Sequence, residues 1–145
     1  MANNDWAIVA ALDAARAIFR AHVEHERGRI VDTAGESGLA EFDTVSGTVR
    51  AALSIQGELE VQNPTTTESQ RLRFRIGIEM GEVIHKEDGS IYGAGVNVAA
   101  RLQTIAAPGS VVVSEDARRQ IKPYPEFLCS DLGEHEFKHV SEPPG

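Results

Sequence analysis

The chain has 145 residues, 41% of them hydrophobic and 25% charged, the proportions of one globular domain with a sizeable core. Fourteen Lys and Arg against 22 Asp and Glu leave a formal charge of −8, which excludes a general nucleic-acid binder or a binder of anionic membranes, since both need a basic face. The single cysteine, Cys129, rules out an internal disulfide and no run approaches the ~18 apolar residues that span a bilayer, so the reading is a cytoplasmic chain with no membrane segment. The N-terminus lacks a basic stretch followed by an apolar core, so no signal peptide is expected.

Asp5 caps a predicted first helix in which Ile8, Leu12, Ala15, Phe19 and Val23 recur at helical spacing, with Gly28 as its stop. His22 and His25 near its end read as solvated surface, because a metal site needs further ligands at suitable spacing. Residues 29–42 read as a hairpin: Ile30 and Val31 start one strand, Gly35-Glu36-Ser37-Gly38 turns, and Leu39, Ala40 and Phe42 return. An acid such as Glu36 in that turn is placed to meet a hard divalent cation, although taken alone it reads better as a plain solvated turn acid. Asp43 is expected to cap a second helix carried by Val45, Val49, Ala52, Leu53, Ile55 and Gln56 and extended by Leu59. A polar loop from Asn63-Pro64 to Glu68-Ser69 follows.

Residues 73–79 alternate polar with apolar or small, the period of a strand with one buried face. His85 to Gly89 is charged and ends on glycine, a turn. Tyr92-Gly93-Ala94-Gly95 delivers the chain into a helix on which Asn97 and Arg101, four apart, share a face while Val98, Ala99 and Leu102 point elsewhere. A glycine-rich approach followed by Asn and Arg on one stripe suits a polyanion or a sugar edge, because Arg offers a planar fork to phosphate oxygens. Taken alone, the pair is equally a residue at a helix start and a solvated charge. Ala107-Pro108-Gly109 breaks the chain, Val111 to Val113 form a short buried strand, and Ser114 or Asp116 caps a brief helix through Ile121. Residues 127–132 and 135–140 are expected to close the domain as a hairpin through Gly133-Glu134, with Cys129 as a buried or half-buried structural thiol. There are no internal repeats and no linker, so residues 1–145 read as one domain.

The segment IYGAGVNVAARLQTIAAPGSVVVSE resembles the C-terminal half of class III nucleotidyl cyclase domains of the bacterial adenylate cyclase type. FRIGIEMGEVI resembles the strand and turn before it, GRIVDTAGESGLAEF the family's metal-bearing hairpin, and LGEHEFKHVSEP its last hairpin. The likeness spans almost the whole chain in the family's order. It implies an α/β (α+β) fold, the ferredoxin-like βαββαβ sandwich of the cyclase catalytic domain, and a site shared between two domains. It also implies conversion of ATP or GTP to a 3′,5′-cyclic monophosphate and pyrophosphate, with Mg2+ or Mn2+ as cofactor and a homodimer or a heterodimer with another cyclase domain as the assembly. The ribose 3′-oxygen attacks the α-phosphorus in line.

By the same resemblance Asn97 orients the ribose, Arg101 stabilises charge developing on the α-phosphate, and Lys138 contacts the outer phosphates. Glu36 stands where the family has a metal-binding Asp, one methylene longer and less suited to octahedral magnesium. The family's adenine-reading Lys falls at Asp32 and its partner Asp or Thr at Ser90, and an ionised Asp cannot donate. The family's first strand, which carries its other metal-binding Asp, is expected to be absent, with the chain starting at the helix after it and stopping at Pro144-Gly145 before the usual final strand. Loss of that interior strand leaves an open slot in the sheet unless the protein begins upstream, the sheet rearranges or borrows a strand from a second copy, or the chain is a poorly folding remnant. Three functions stay open: a cyclase-like domain with degraded metal and base sites and little activity alone, an active purine nucleotide cyclase once the strand is present, and a non-catalytic nucleotide-binding or partner-docking module.

Overall fold

The computed structural model describes residues 2–3, 6–11, 16–31, 37–62, 73–131 and 137–141. Its frame is a seven-stranded sheet in the order β3-β4-β2-β5-β8-β10-β9. The strands are β2 (Trp6–Ala11), β3 (Arg29–Val31), β4 (Ser37–Phe42), β5 (Ile76–Met80), β8 (Val111–Ser114), β9 (Leu128–Asp131) and β10 (Phe137–Ser141). A second sheet joins β1 (Ala2–Asn3), β6 (Val83–His85) and β7 (Ile91–Tyr92). The helices are α1 (Arg16–His25), α2 (Val45–Gln62), α3 (Ala94–Ile105) and α4 (Glu115–Ile121). The run β2-α1-β3-β4-α2-β5 is the βαββαβ unit that the resemblance implied, and β5-α3-β8 adds a parallel crossover.

The expectation that the first strand is missing is overturned. Trp6–Ala11 runs antiparallel to both neighbours, with Ile8 opposite Ala40 on β4 and Ile78 on β5, in the interior slot. The predicted helix over residues 5–28 therefore divides into a strand and a ten-residue helix. A six-residue apolar run fits an interior strand as well as a helix turn, and periodicity alone does not separate them. The helix also closes differently: Arg27 takes the left-handed conformation (φ 64°), and the Gly28 N–H donates to the Val23 carbonyl at 2.8 Å.

One core lies between the sheet and α1, α2 and α4. It holds Phe19, Val23, Val49, Ile55, Phe74, Ile76, Ile78, Val113 and Ile121, with the Phe19 and Phe74 rings 6.2 Å apart. The predicted cap of α2 shifts by one residue: Thr44 Oγ1 accepts from the Gly47 N–H at 3.0 Å. Gln56 on α2 donates to the Phe74 carbonyl at 3.0 Å and the Ser110 carbonyl at 2.9 Å, joining the starts of β5 and β8. Ser114, the first of the two expected caps, closes the start of α4 by accepting from the Ala117 N–H at 3.1 Å.

On the other side α3 packs on the sheet through Ala99, Leu102 and Ala106. β5 is consequently buried along both faces, not one. Gly77 makes this possible. A Cβ there would lie 2.8 Å from Leu102 Cβ and closer still to the Ala99 carbonyl oxygen and the Gln103 amide nitrogen. Two side-chain expectations change as well. Cys129 is exposed on β9, the edge strand, where a buried or half-buried thiol was expected. His22 is half-buried, its Nε2 2.6 Å from Glu58 Oε1, so it is part of the α1–α2 contact and not free surface.

Candidate functional site

The anion-facing half is built on α3. Its first turn has no side-chain cap: Gly93 (φ 135°) turns the chain, its carbonyl accepts from the Asn97 N–H at 3.2 Å, and the Gly95 N–H donates to the Glu82 carbonyl at 3.3 Å. Gly95, Ala99 and Leu102 are buried while Asn97 and Arg101 are exposed. The 3.6-residue period thus turns the small and apolar residues to the sheet and the Asn/Arg stripe outward. Neither Asn97 nor Arg101 has a side-chain partner among the described residues. An exposed Arg fork beside an Asn amide can take phosphate oxygens and a ribose hydroxyl together.

Lys138 is placed by its backbone in β10, opposite Val113 of β8 and Asp131 of β9. Ser90 closes the β6–β7 hairpin. Its hydroxyl donates to Asp88 Oδ1 at 2.6 Å and its N–H to the same oxygen at 3.0 Å. These bonds, with Lys86 nearby, hold the Asp88 carboxyl below the ordinary aspartate range. Asp32 and Glu36 lie outside the described residues, which resume at Ser37. Asn97 and Arg101 are thus together on one helical stripe, whereas Ser90 and Lys138 stand on separate hairpins.

The described residues supply little of the metal half, and Glu36 lies outside them. β2 fills the strand slot but carries no acid among Trp6–Ala11. Among the described residues no group of three or more His, Cys, Asp or Glu is arranged to hold a metal ion. Among the described residues the donors therefore make no two-ion site.

A further polar group was not anticipated from the sequence. Glu41 on β4 is almost fully buried. Its Oε1 accepts from Arg29 Nε at 2.7 Å and also from Arg29 Nη2, and its Oε2 lies 2.8 Å from His85 Nε2. Arg29 Nη1 donates to the Gly89 carbonyl at 3.1 Å. Arg29 and Glu41 face each other in the β3–β4 register, so a register-level reading of the predicted hairpin carried half of this signal. Buried Glu79 is a second case: its Oε1 accepts from the Ser114 hydroxyl and from the Met80 N–H at 2.8 Å.

The adenylate and guanylate cyclase catalytic domain family matches residues 2–143. A putative adenylate cyclase 3 of Rhizobium meliloti (strain 1021) is 30% identical over 117 residues, which are 81% of this chain and 20% of that protein. The chain thus spans about a fifth of the length of that curated relative. An adenylate/guanylate cyclase/hydrolase from Silicibacter pomeroyi superposes with a TM-score of 0.82 at 29% identity, covering 97% of this chain and 96% of that one. The monomeric guanylyl cyclase domain of the RhoGC fusion protein of Blastocladiella emersonii shares the fold, with a TM-score of 0.79 at 16% identity over 98% of this chain and 97% of that one. No helix among the described residues is long and apolar enough to cross a membrane.

Proposed function

Since the chain belongs to the adenylate and guanylate cyclase catalytic-domain family, we propose that it acts as the anion-binding half of a cyclase pair and has little activity alone. The observation that carries this is the pairing of an exposed, unengaged Asn97/Arg101 stripe with a β2 strand that offers no carboxylate. A partner domain, of the same family and bearing intact metal carboxylates, completes the site. Asn97 positions the ribose of ATP or GTP, Arg101 meets charge developing on the α-phosphate, and Lys138 holds the outer phosphates. The 3′-oxygen–phosphorus bond forms as the bond to pyrophosphate breaks, and the 3′-proton leaves to the partner's side of the site. Asp32 and Ser90 replace the donor–acceptor set that reads adenine, so base selection does not follow the adenylate pattern.

The test is cyclic nucleotide formation from ATP and from GTP, each in Mg2+ and in Mn2+. The chain is assayed alone and mixed with a family domain that keeps its carboxylates but has lost its Asn and Arg. The expected result is baseline turnover for each component and a gain of about 100-fold for the mixture, abolished by Arg101→Ala. Robust turnover by the purified chain alone overturns the division of labour. Asp13, the first acid after β2 in sequence, is then the residue to replace. Metal-independent triphosphate binding with no turnover in any mixture selects a nucleotide-binding module without chemistry.

A further inference from the structure

We infer that Arg29, braced by Glu41 and His85, is a positioning residue that ties the two hairpins carrying the base-selecting positions into one unit. This inference rests on the function proposed above in assigning Asp32 and Ser90 to the purine. The tie itself is a matter of geometry. The two hairpins belong to different sheets: β3 and β4 lie at one edge of the seven-stranded sheet, and β6 and β7 form the small one. Among the described residues no strand pairing joins them. Both hairpins share a buried apolar cluster of Val31, Leu39, Val83, Ile91 and Ala99, and Arg29 adds a polar tie at the turn end. Its Nε and Nη2 bond Glu41 within the β3–β4 hairpin, and its Nη1 reaches the Gly89 carbonyl of the β6–β7 hairpin at 3.1 Å. His85, at the end of β6, meets the other Glu41 oxygen at 2.8 Å.

The chain positions give this bridge its consequence. Arg29 stands three residues before Asp32, and Gly89 directly precedes Ser90. The guanidinium therefore joins the strand leading into one base-selecting position to the peptide leading into the other. Glu41 is nearly buried, so both of its oxygens need partners, and Arg29 and His85 supply them from the two sides. A planar fork is required here. Lysine could keep the ion pair with Glu41 but could not hold Glu41 and the Gly89 carbonyl together in the same geometry. With the tie intact, the Gly89–Ser90 peptide is held against the β3–β4 hairpin, whose strand leads into Asp32 in sequence. Without it, the apolar contact and the His85–Glu41 bond remain, but the Gly89–Ser90 turn loses its anchor on the β3–β4 hairpin, so discrimination between purines falls while phosphate binding through Arg101 persists.

The experiment uses the full chain as wild type, Arg29→Gln, Arg29→Lys and Arg101→Ala. Amide hydrogen exchange is followed over residues 83–92, together with the affinities for fluorescent ATP, fluorescent GTP and inorganic tripolyphosphate. Arg29→Gln and Arg29→Lys are expected to speed exchange in the β6–β7 hairpin by about tenfold, the scale of one lost charge-assisted hydrogen bond. Exchange in α2 serves as the check on global folding and should not move in Arg29→Lys. The ratio of the two nucleotide affinities should collapse toward one while tripolyphosphate affinity stays, whereas Arg101→Ala should weaken all three ligands alike. Unchanged hairpin exchange in both Arg29 variants, or faster exchange with an unchanged affinity ratio, overturns the inference. If the wild-type chain binds no triphosphate, the function reading fails, and hydrogen exchange alone decides the tie.

Discussion

Replacing Gly77 with alanine tests the packing that sets the height of α3 above the sheet. The added Cβ would sit 2.8 Å from Leu102 Cβ, and closer to the Ala99 carbonyl oxygen and the Gln103 amide nitrogen. Two of these three are helix backbone atoms, which cannot rotate aside as a side-chain end can. Overpacking typically costs about 1–3 kcal/mol, and a clash with backbone belongs at the upper end, so Gly77→Ala should lose about 3 kcal/mol. With a urea dependence of roughly 2 kcal/mol per molar for a domain of this size, the midpoint should fall by about 1.5 M. Gly57 is the internal control. It is exposed in the middle of α2, and a Cβ there meets nothing within 4 Å. Gly57→Ala should therefore gain about 0.5–1 kcal/mol from helix propensity and raise the midpoint by roughly 0.3–0.5 M. The same chemical change thus has opposite signs at two sites, read by urea denaturation with circular dichroism detection. A Gly77→Ala midpoint within about 0.3 M of wild type would refute the close α3–β5 approach.

Ser90→Ala should raise the titration midpoint of Asp88, whose pKa is lowered first by the Ser90 hydroxyl and then by the Ser90 N–H. Because the folded value is depressed, the contribution of this turn is complete above the ordinary aspartate pKa and is lost as pH falls through the lowered one. Carboxyl-carbon NMR against pH reads it, and an unmoved midpoint sinks the assignment. Ser114→Ala removes both the α4 cap and a hydroxyl partner of buried Glu79, so a loss of about 2 kcal/mol is expected in denaturation; Ser114→Thr should recover most of it, and a loss under about 0.5 kcal/mol would count against the dual role. Asn97→Ala and Arg101→Ala lie on the exposed stripe and should stay within about 0.5 kcal/mol of wild-type stability while triphosphate affinity falls, and a stability loss well beyond that would show a structural role instead.

The stripe of Asn97 and Arg101 was legible in the sequence because a 3.6-residue period forces residues four apart onto one face, and Gly95, Ala99 and Leu102 claim the opposite one. The hairpin of β3 and β4 and the closing hairpin of β9 and β10 were legible from turn residues flanked by apolar runs. Trp6–Ala11 was not, because six apolar residues followed by a helical pattern extend that pattern backwards without a break. Glu79 was hidden for a related reason. Alternation assigned it to an open face, and only the crossover of α3 over β5, a long-range event, covered that face. The Arg29–Glu41–His85 group joins residues up to 56 apart in number, from Arg29 to His85, and no local pattern encodes such a meeting.

The fold and the metal half of the site separate most clearly at β2. Ala11 lies opposite Ser37, and Ala10 opposite Gly38, so the end of β2 is the backbone neighbour of the segment that begins directly after Glu36. The strand satisfies the sheet with its backbone alone, and the sheet's stability places no demand for an acid there. Shortening Glu36 to Asp restores the family's residue at one position and adds no acid to β2, so on the function proposed above Glu36→Asp alone should stay at baseline in Mn2+. Adding an acid to β2 changes that. Ala10→Asp and Ala11→Asp point to opposite faces of the strand, because successive side chains alternate. Only one of the two should cooperate with Glu36→Asp, and that double variant should show Mn2+-dependent turnover that neither single change gives. Turnover from Glu36→Asp by itself, at the level of the better double variant, would mean that a second carboxylate already reaches the site from outside β2.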